Sequence, residues 1–276
     1  MNKKIIIVIS SIVLFSCKTF FACHHTIKKN KPLPTLRFIL IGNTNPESPF
    51  IGFTKWLPTV AAEIQKEDPL FIVHTGNMVT GGDKTSGIRS IDMVRQFSIF
   101  NKIMQTKTNI VYTLIGKSDL LHNSKAIYSS QTKRDINYTI NYGTMHIIFF
   151  NTVSMINHDT NLAWLKKELE NSKHYDNIII FTHFPIFLPK GWKGTIKANT
   201  KMHNLIKQYK VRAVFSGNYG RNFTVQKDTI FYYTLGCGGF KKEDKYWLYN
   251  QFYVVDISPT GIKITPKKVN YYAIKK

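Results

Sequence analysis

Apolar positions recur along this chain with two alternating periods. Arg37–Ile41 is a short, nearly continuous apolar run ending at Gly42, the pattern of a strand buried on both faces. From Trp56 to Lys66 the period changes, and Leu57, Val60, Ala61 and Ile64 fall on one face of a helix. Leu70–Val73 is a second buried strand, running into His74-Thr75-Gly76, and Ile88 to Met104 is again amphipathic. Ile110–Ile115 closes on Gly116 as a third strand. Strand, helix, strand, helix, strand predicts an α/β fold with parallel strands.

The second half reads differently. Ile136–Tyr142 and Met145–Asn151 flank Gly143-Thr144 as a hairpin, and Leu162–Leu169 is a short helix. Asn177–Phe181 is a buried strand, a helix follows at Met202–Tyr209, and Val211–Ser216 is another strand. Beyond it come only strands, at Thr229–Leu235, Gln251–Ile257 and Gly261–Pro266. In open α/β sheets ligands bind beyond the carboxyl ends of the strands. Five loops belong there: Asn43–Asn45, Asn77–Gly82, Gly116–Asp119, Thr182–Pro185 and Gly217–Gly220. They offer Asn43, Asn45, Asn77, Lys117, Ser118, Asp119, His183 and Asn218, a polar set short of the carboxylates and imidazoles that hold divalent metals.

The first residues read as an address. Lys3 and Lys4 precede Ile5–Phe15, eleven mostly apolar residues. A spanning helix needs about twenty, so the run suits the core of a signal peptide. Leu14-Phe15-Ser16-Cys17 resembles a bacterial lipobox, in which the cysteine is lipidated and becomes the first mature residue; Phe20-Phe21-Ala22-Cys23 is a poorer second candidate. This predicts a signal peptide at 1–16, a lipidated, palmitate-bearing tether at 17–34 and a folded domain at 35–276. The protein is then exported across the inner membrane and held at the cell membrane or outer membrane, in the cell envelope. Cys23 and Cys237 alone remain, at opposite ends of the chain, and build neither a disulfide framework nor a zinc site.

Composition narrows the partners. Hydrophobic residues make up 43% and aromatics 13%, which excludes disorder and small disulfide scaffolds. The net charge is +22, but only six of the 38 basic residues are Arg. Base and phosphate reading favours Arg, so no specific nucleic-acid recognition is expected; the charge suits a diffuse attraction to anionic surfaces or is a compositional habit of the source.

Strand by strand the loops resemble those of the calcineurin-like metallophosphoesterases, in particular the purple-acid-phosphatase-like branch. That family carries Asp-x-His, Gly-Asp, Gly-Asn-His-Asp/Glu, a His after a buried strand, and Gly-His-x-His. Here stand Gly42-Asn43-Thr44-Asn45, Gly76-Asn77-Met78-Val79, Gly116-Lys117-Ser118-Asp119, Phe181-Thr182-His183-Phe184-Pro185 and Ser216-Gly217-Asn218-Tyr219-Gly220. The resemblance implies a β-sandwich flanked by helices, four layers in αββα order, and a divalent pair of Fe, Mn or Zn that hydrolyses phosphoric esters.

It also implies that this chain has lost the site. Of seven metal-holding positions, six carry another residue: Asn43, Asn45, Asn77, Lys117, Asn218 and Gly220. His183 alone keeps a ligand type, Ser118 stands for the catalytic His, and Asp119 keeps the orienting carboxylate without its partner. Asn preserves shape and an acceptor but no charge, and Lys117 adds +1 where a cation would sit. Two like charges about 4 Å apart repel by about 4 kcal/mol at an effective dielectric near 20. No metal and no cofactor are therefore expected, and the protein reads as an inactive pseudo-phosphoesterase serving as a binding module. Lys117 is expected to lie within reach of Asn43, Asn77, Asn218 or Asp119. With Asn45 and His183 it would hold a phosphate-containing or acidic ligand. The alternatives are an active phosphoesterase with one atypical metal on His183, Asp119 and His74, or a structural envelope lipoprotein with an empty pocket.

Overall fold

The computed structural model describes residues 36–46, 48–50, 53, 56–105, 110–153, 158–191, 199–236 and 250–269. Cys17, Cys23 and Cys237, and with them the segments expected as signal peptide and tether, lie outside these residues.

Two sheets form. In the first, β1 (Leu36–Ile41), β2 (Ile72–His74) and β3 (Val111–Thr113) are parallel neighbours. The hairpin of β10 (Asn250–Ser258) and β11 (Gly261–Val269) adds to the outer edge of β1, giving the order β11-β10-β1-β2-β3. The second sheet contains β4 (Tyr138–Tyr142), β5 (Met145–Phe150), β6 (Asn177–Thr182), β7 (Val211–Gly220), β8 (Phe223–Lys227) and β9 (Ile230–Gly236). Its order is β4-β5-β6-β7-β9-β8, parallel from β5 through β9.

Alternation along the strands builds three cores. Leu36, Phe38 and Leu40 of β1 face Phe149, Phe181 and Phe215 of the second sheet. Ile39 and Ile41 turn the other way, onto helices α1 (Trp56–Gln65) and α2 (Ser90–Met104). Ile148, Ile178 and Ile180 likewise leave the sandwich for α4 (His158–Asn171) and α5 (Asn199–Ile206). Each central strand is buried on both faces, which is why these runs are apolar without alternation. Tyr138, Phe149, Phe181, Phe215 and Tyr233 stack as one row across five strands, and Phe38 meets Phe181 and Phe215 edge-on. The expected fold, helices outside a two-sheet sandwich, is the one observed.

Two elements escape the periodic reading. Helix α3 (Ala126–Thr132, AIYSSQT) is rich in Ser and Thr and buries Tyr128 alone; β8 is an outer strand with an exposed, mixed sequence. The helix expected at Met202–Tyr209 runs instead over Asn199–Ile206.

Candidate functional site

The carboxyl ends of β1, β2, β3, β6 and β7 converge, and the main chain ties their loops together. Asn43 N donates to Gly76 O at 3.0 Å, Thr44 N and Asn45 N both donate to Asn77 O, and Gly217 N donates to His183 O at 3.1 Å. Asn43, Asn77 and Asn218 all have left-handed backbones, with φ of 54°, 59° and 61°. Asparagine tolerates this conformation better than other side chains except glycine, so the residue type serves the turn as well as the site. Gly116 is required by close approach, since a Cβ there would lie 2.1 Å from Asn77 N.

The three amides form one cluster. Ser118 N–H can meet only an acceptor, and it donates to Asn77 Oδ1 at 3.0 Å. That fixes the orientation of the Asn77 amide. Its Nδ2 then donates to Asn43 Oδ1 at 2.9 Å and to Asn218 Oδ1 at 3.3 Å. Asn45 turns aside, its Nδ2 donating to Thr80 Oγ1 at 3.3 Å. Gly220, the last of the family positions, ends β7 with a φ of 70°. Thr80 is gripped at both main-chain groups by Gln96 of α2, a contact without a sequence signature.

Asp119 does not lack partners, as the sequence reading expected. It is fully buried, and each oxygen accepts two main-chain N–H groups: Oδ1 from Met78 and Val79 at 2.7 and 3.0 Å, Oδ2 from Asn77 and Gly116 at 2.8 and 2.7 Å. A carboxylate cannot be buried without such donors. Burial pushes its pKa up to about 7 against their pull.

Two histidines lie beneath the amides. Gly76 N–H donates to His74 Nδ1 at 3.2 Å, so Nε2 carries the proton and donates to Thr44 Oγ1 at 2.9 Å. His183 Nδ1 meets Thr75 O at 2.6 Å and must be the protonated nitrogen. Its Nε2 is buried without a partner of full hydrogen-bond geometry, although the Asn218 side chain stands near enough to act on its charge. Burial holds His74 at about 3, aided by the like charge of His183, and His183 at about 4. Both are neutral at pH 7, and His183 Nε2 is therefore a buried lone pair and not a donor.

Lys117 departs from expectation. The residues Lys117–Asp119 form a 3-10 turn that aims Asp119 inward and the Ser118 main chain at Asn77. The Lys117 side chain is left on the outside, exposed and making no hydrogen bond or ion pair with a described residue. It stands on the rim and not among the amides. The Ser118 hydroxyl oxygen is buried and has no partner among the described residues.

Residues 19–217 match the family model for calcineurin-like phosphoesterase. No curated protein sequence matches the chain. Among solved structures, it is similar to GAP50 of Plasmodium, described as the anchor in the inner membrane complex, with 18% identity and a TM-score of 0.63 over 86% of this chain and 89% of that one. A dimetal phosphatase from Danio rerio gives 10% identity and a TM-score of 0.67 over 85% and 96%. Purple acid phosphatase PPD1 from yellow lupin seeds gives 13% and 0.61, covering 87% of this chain but 53% of the lupin enzyme. At such identities the solved structures speak for the fold. The match over residues 19–217, on a sandwich whose five loops meet as the motifs require, makes this chain a member of the calcineurin-like phosphoesterase family.

Proposed function

We propose that this family member is a lipid-anchored cell-envelope protein whose fold serves as a binding module and no longer hydrolyses phosphoric esters. The observation that carries the reading is the amide cluster. A divalent pair needs charged, unoccupied donors. Here Asn77 spends its oxygen on Ser118 N–H and its nitrogen on Asn43 and Asn218. Both oxygens of Asp119 are filled by main-chain donors, and both nitrogens of His74 are engaged. His183 Nε2 is left with one lone pair, buried and beside the Asn218 side chain. Among the described residues no three His, Cys, Asp or Glu side chains converge. This donor set does not fit two metals, and the same bonds disfavour the single atypical metal on His183, Asp119 and His74. Without a metal-bound hydroxide or a catalytic imidazole, neither the nucleophile nor the general acid is supplied.

Hydrolysis of p-nitrophenyl phosphate is expected at the no-protein background with Mn, Fe or Zn added. A rate that falls about tenfold or more on His183→Ala, the loss typical of a catalytic group, would show a working site.

The anchor is part of the proposal and rests on Leu14-Phe15-Ser16-Cys17 behind its apolar run. Cys17→Ser is expected to leave the membrane fraction and to lose palmitate label. Retention of label by Cys17→Ser, with loss in Cys23→Ser, would move the anchor to Cys23.

A further inference from the structure

Some cations of this protein are paired with acids and others are not. At the amino ends of the strands several are paired: Arg37 with Asp256 at 2.8 Å, Lys66 with Glu63 at 2.6 Å, Lys210 with Asp176 at 3.3 Å and Lys207 with Asp228 at 4.0 Å. At the site pole Arg89 pairs with Asp92 at 3.0 Å, but the side chains of Lys84, Lys117 and Lys125 are exposed and make no ion pair or hydrogen bond with a described residue. Two loops carry them, and the main chain zips those loops together. Gly81 N donates to Ser118 O at 2.7 Å, Gly82 N to Leu120 O at 3.1 Å, and His122 N to Gly82 O at 2.7 Å. Asp83, next to Lys84 in sequence, accepts from the main chain and hydroxyl of Thr85 at 2.9 and 2.6 Å and makes no ion pair with a described lysine.

Apolar groups stand nearby. The loop carrying Lys84 runs into α2, where Ile91 is 62% exposed in the first turn. Arg95, one turn on, donates to Phe50 O at 2.6 Å and holds the 57%-exposed Phe50 against the same helix. A chain of unpaired lysines beside two apolar anchors has the composition of a surface for an acidic peptide, with the charges steering and the apolar groups buried on docking. Nucleic acid would be better served by Arg. A bilayer surface is disfavoured because β1, to which the proposed tether is joined, begins at Leu36 on the opposite pole.

We propose that the rim of Lys84, Lys117 and Lys125, with Phe50 and Ile91 beside it, docks an acidic segment of a partner protein. This rests on reading the site pole as a binding face. The test uses the full chain and a fluorescein-labelled oligoglutamate peptide that includes a Phe, with fluorescence anisotropy as the readout. The triple variant Lys84→Ala/Lys117→Ala/Lys125→Ala should bind about tenfold more weakly than wild type, as expected for three modest exposed ion pairs. The opposite-pole triple Lys66→Ala/Lys207→Ala/Lys210→Ala should stay within about twofold, its lysines being already paired. Equal losses in the two triples would reduce the effect to diffuse charge and overturn the proposal. So would a rim triple that keeps wild-type peptide affinity while losing binding to phosphatidylglycerol vesicles or to single-stranded RNA. A metal-loaded, active protein would sink the function proposed above and leave this contrast between triples intact.

Discussion

Asp119→Asn is expected to be the most damaging conservative substitution in the site. The native carboxylate accepts four main-chain N–H groups, two on each oxygen, at 2.7 to 3.0 Å. Asparagine keeps one acceptor and turns an NH₂ group against two of those donors. Each buried N–H left unsatisfied costs about 1–3 kcal/mol, so the variant should lose about 3–5 kcal/mol. Asp119 is fully buried, so bulk solvent does not reach the carboxylate. The effect is to be read as a fall in the urea midpoint at unchanged slope, at pH 8, where the carboxylate is the charged species. A loss below about 1 kcal/mol would mean that the loops do not depend on this carboxylate.

Acid should weaken the protein before ordinary carboxylates titrate. His74 and His183 are held at about 3 and 4, far below the 6.5 of a free imidazole. Between these values the unfolded chain binds two protons that the folded chain refuses, so their contribution to stability is lost as pH falls below about 6.5. Asp119 acts in the opposite sense. Its pKa is raised from 3.8 to about 7, so the folded state takes up a proton as pH falls through 7. Two histidines against one aspartate leave one net proton between about pH 4.5 and 6, or about 1.4 kcal/mol of stability lost per pH unit. The double variant His74→Asn/His183→Asn should lose this slope and gain stability over the same range through Asp119. Denaturation midpoints at the two ends of the range check both chains; a wild-type midpoint that is flat or rises towards acid would contradict the burial of two neutral imidazoles.

The architecture was legible because burial on two faces writes itself into sequence. Leu70–Val73 and Asn177–Phe181 have no alternation to mistake, and each central strand of the site stops where a glycine or polar loop begins. Edge elements carry no such signal, and β8 and α3 were missed for that reason. The site was legible in its residue types but not in its directions. Asn43, Asn77 and Asn218 can be picked out as a set, and they do meet. No motif marks the partners of Asp119, because they are main-chain donors, which every residue but proline supplies. Lys117 was expected inward because a cation was missing there; a turn of three residues decided otherwise by spending its inward positions on Ser118 N–H and Asp119. A lysine left outside keeps its hydration, which burial among neutral amides would not replace.

The central claim is that neutral amides, bonded to one another, have replaced a metal centre. It is tested most directly by elemental analysis of the purified full chain after growth with Mn, Fe and Zn. The amide cluster predicts metal far below one ion per chain, unchanged by His183→Ala. Stoichiometric metal that is lost on His183→Ala would contradict it.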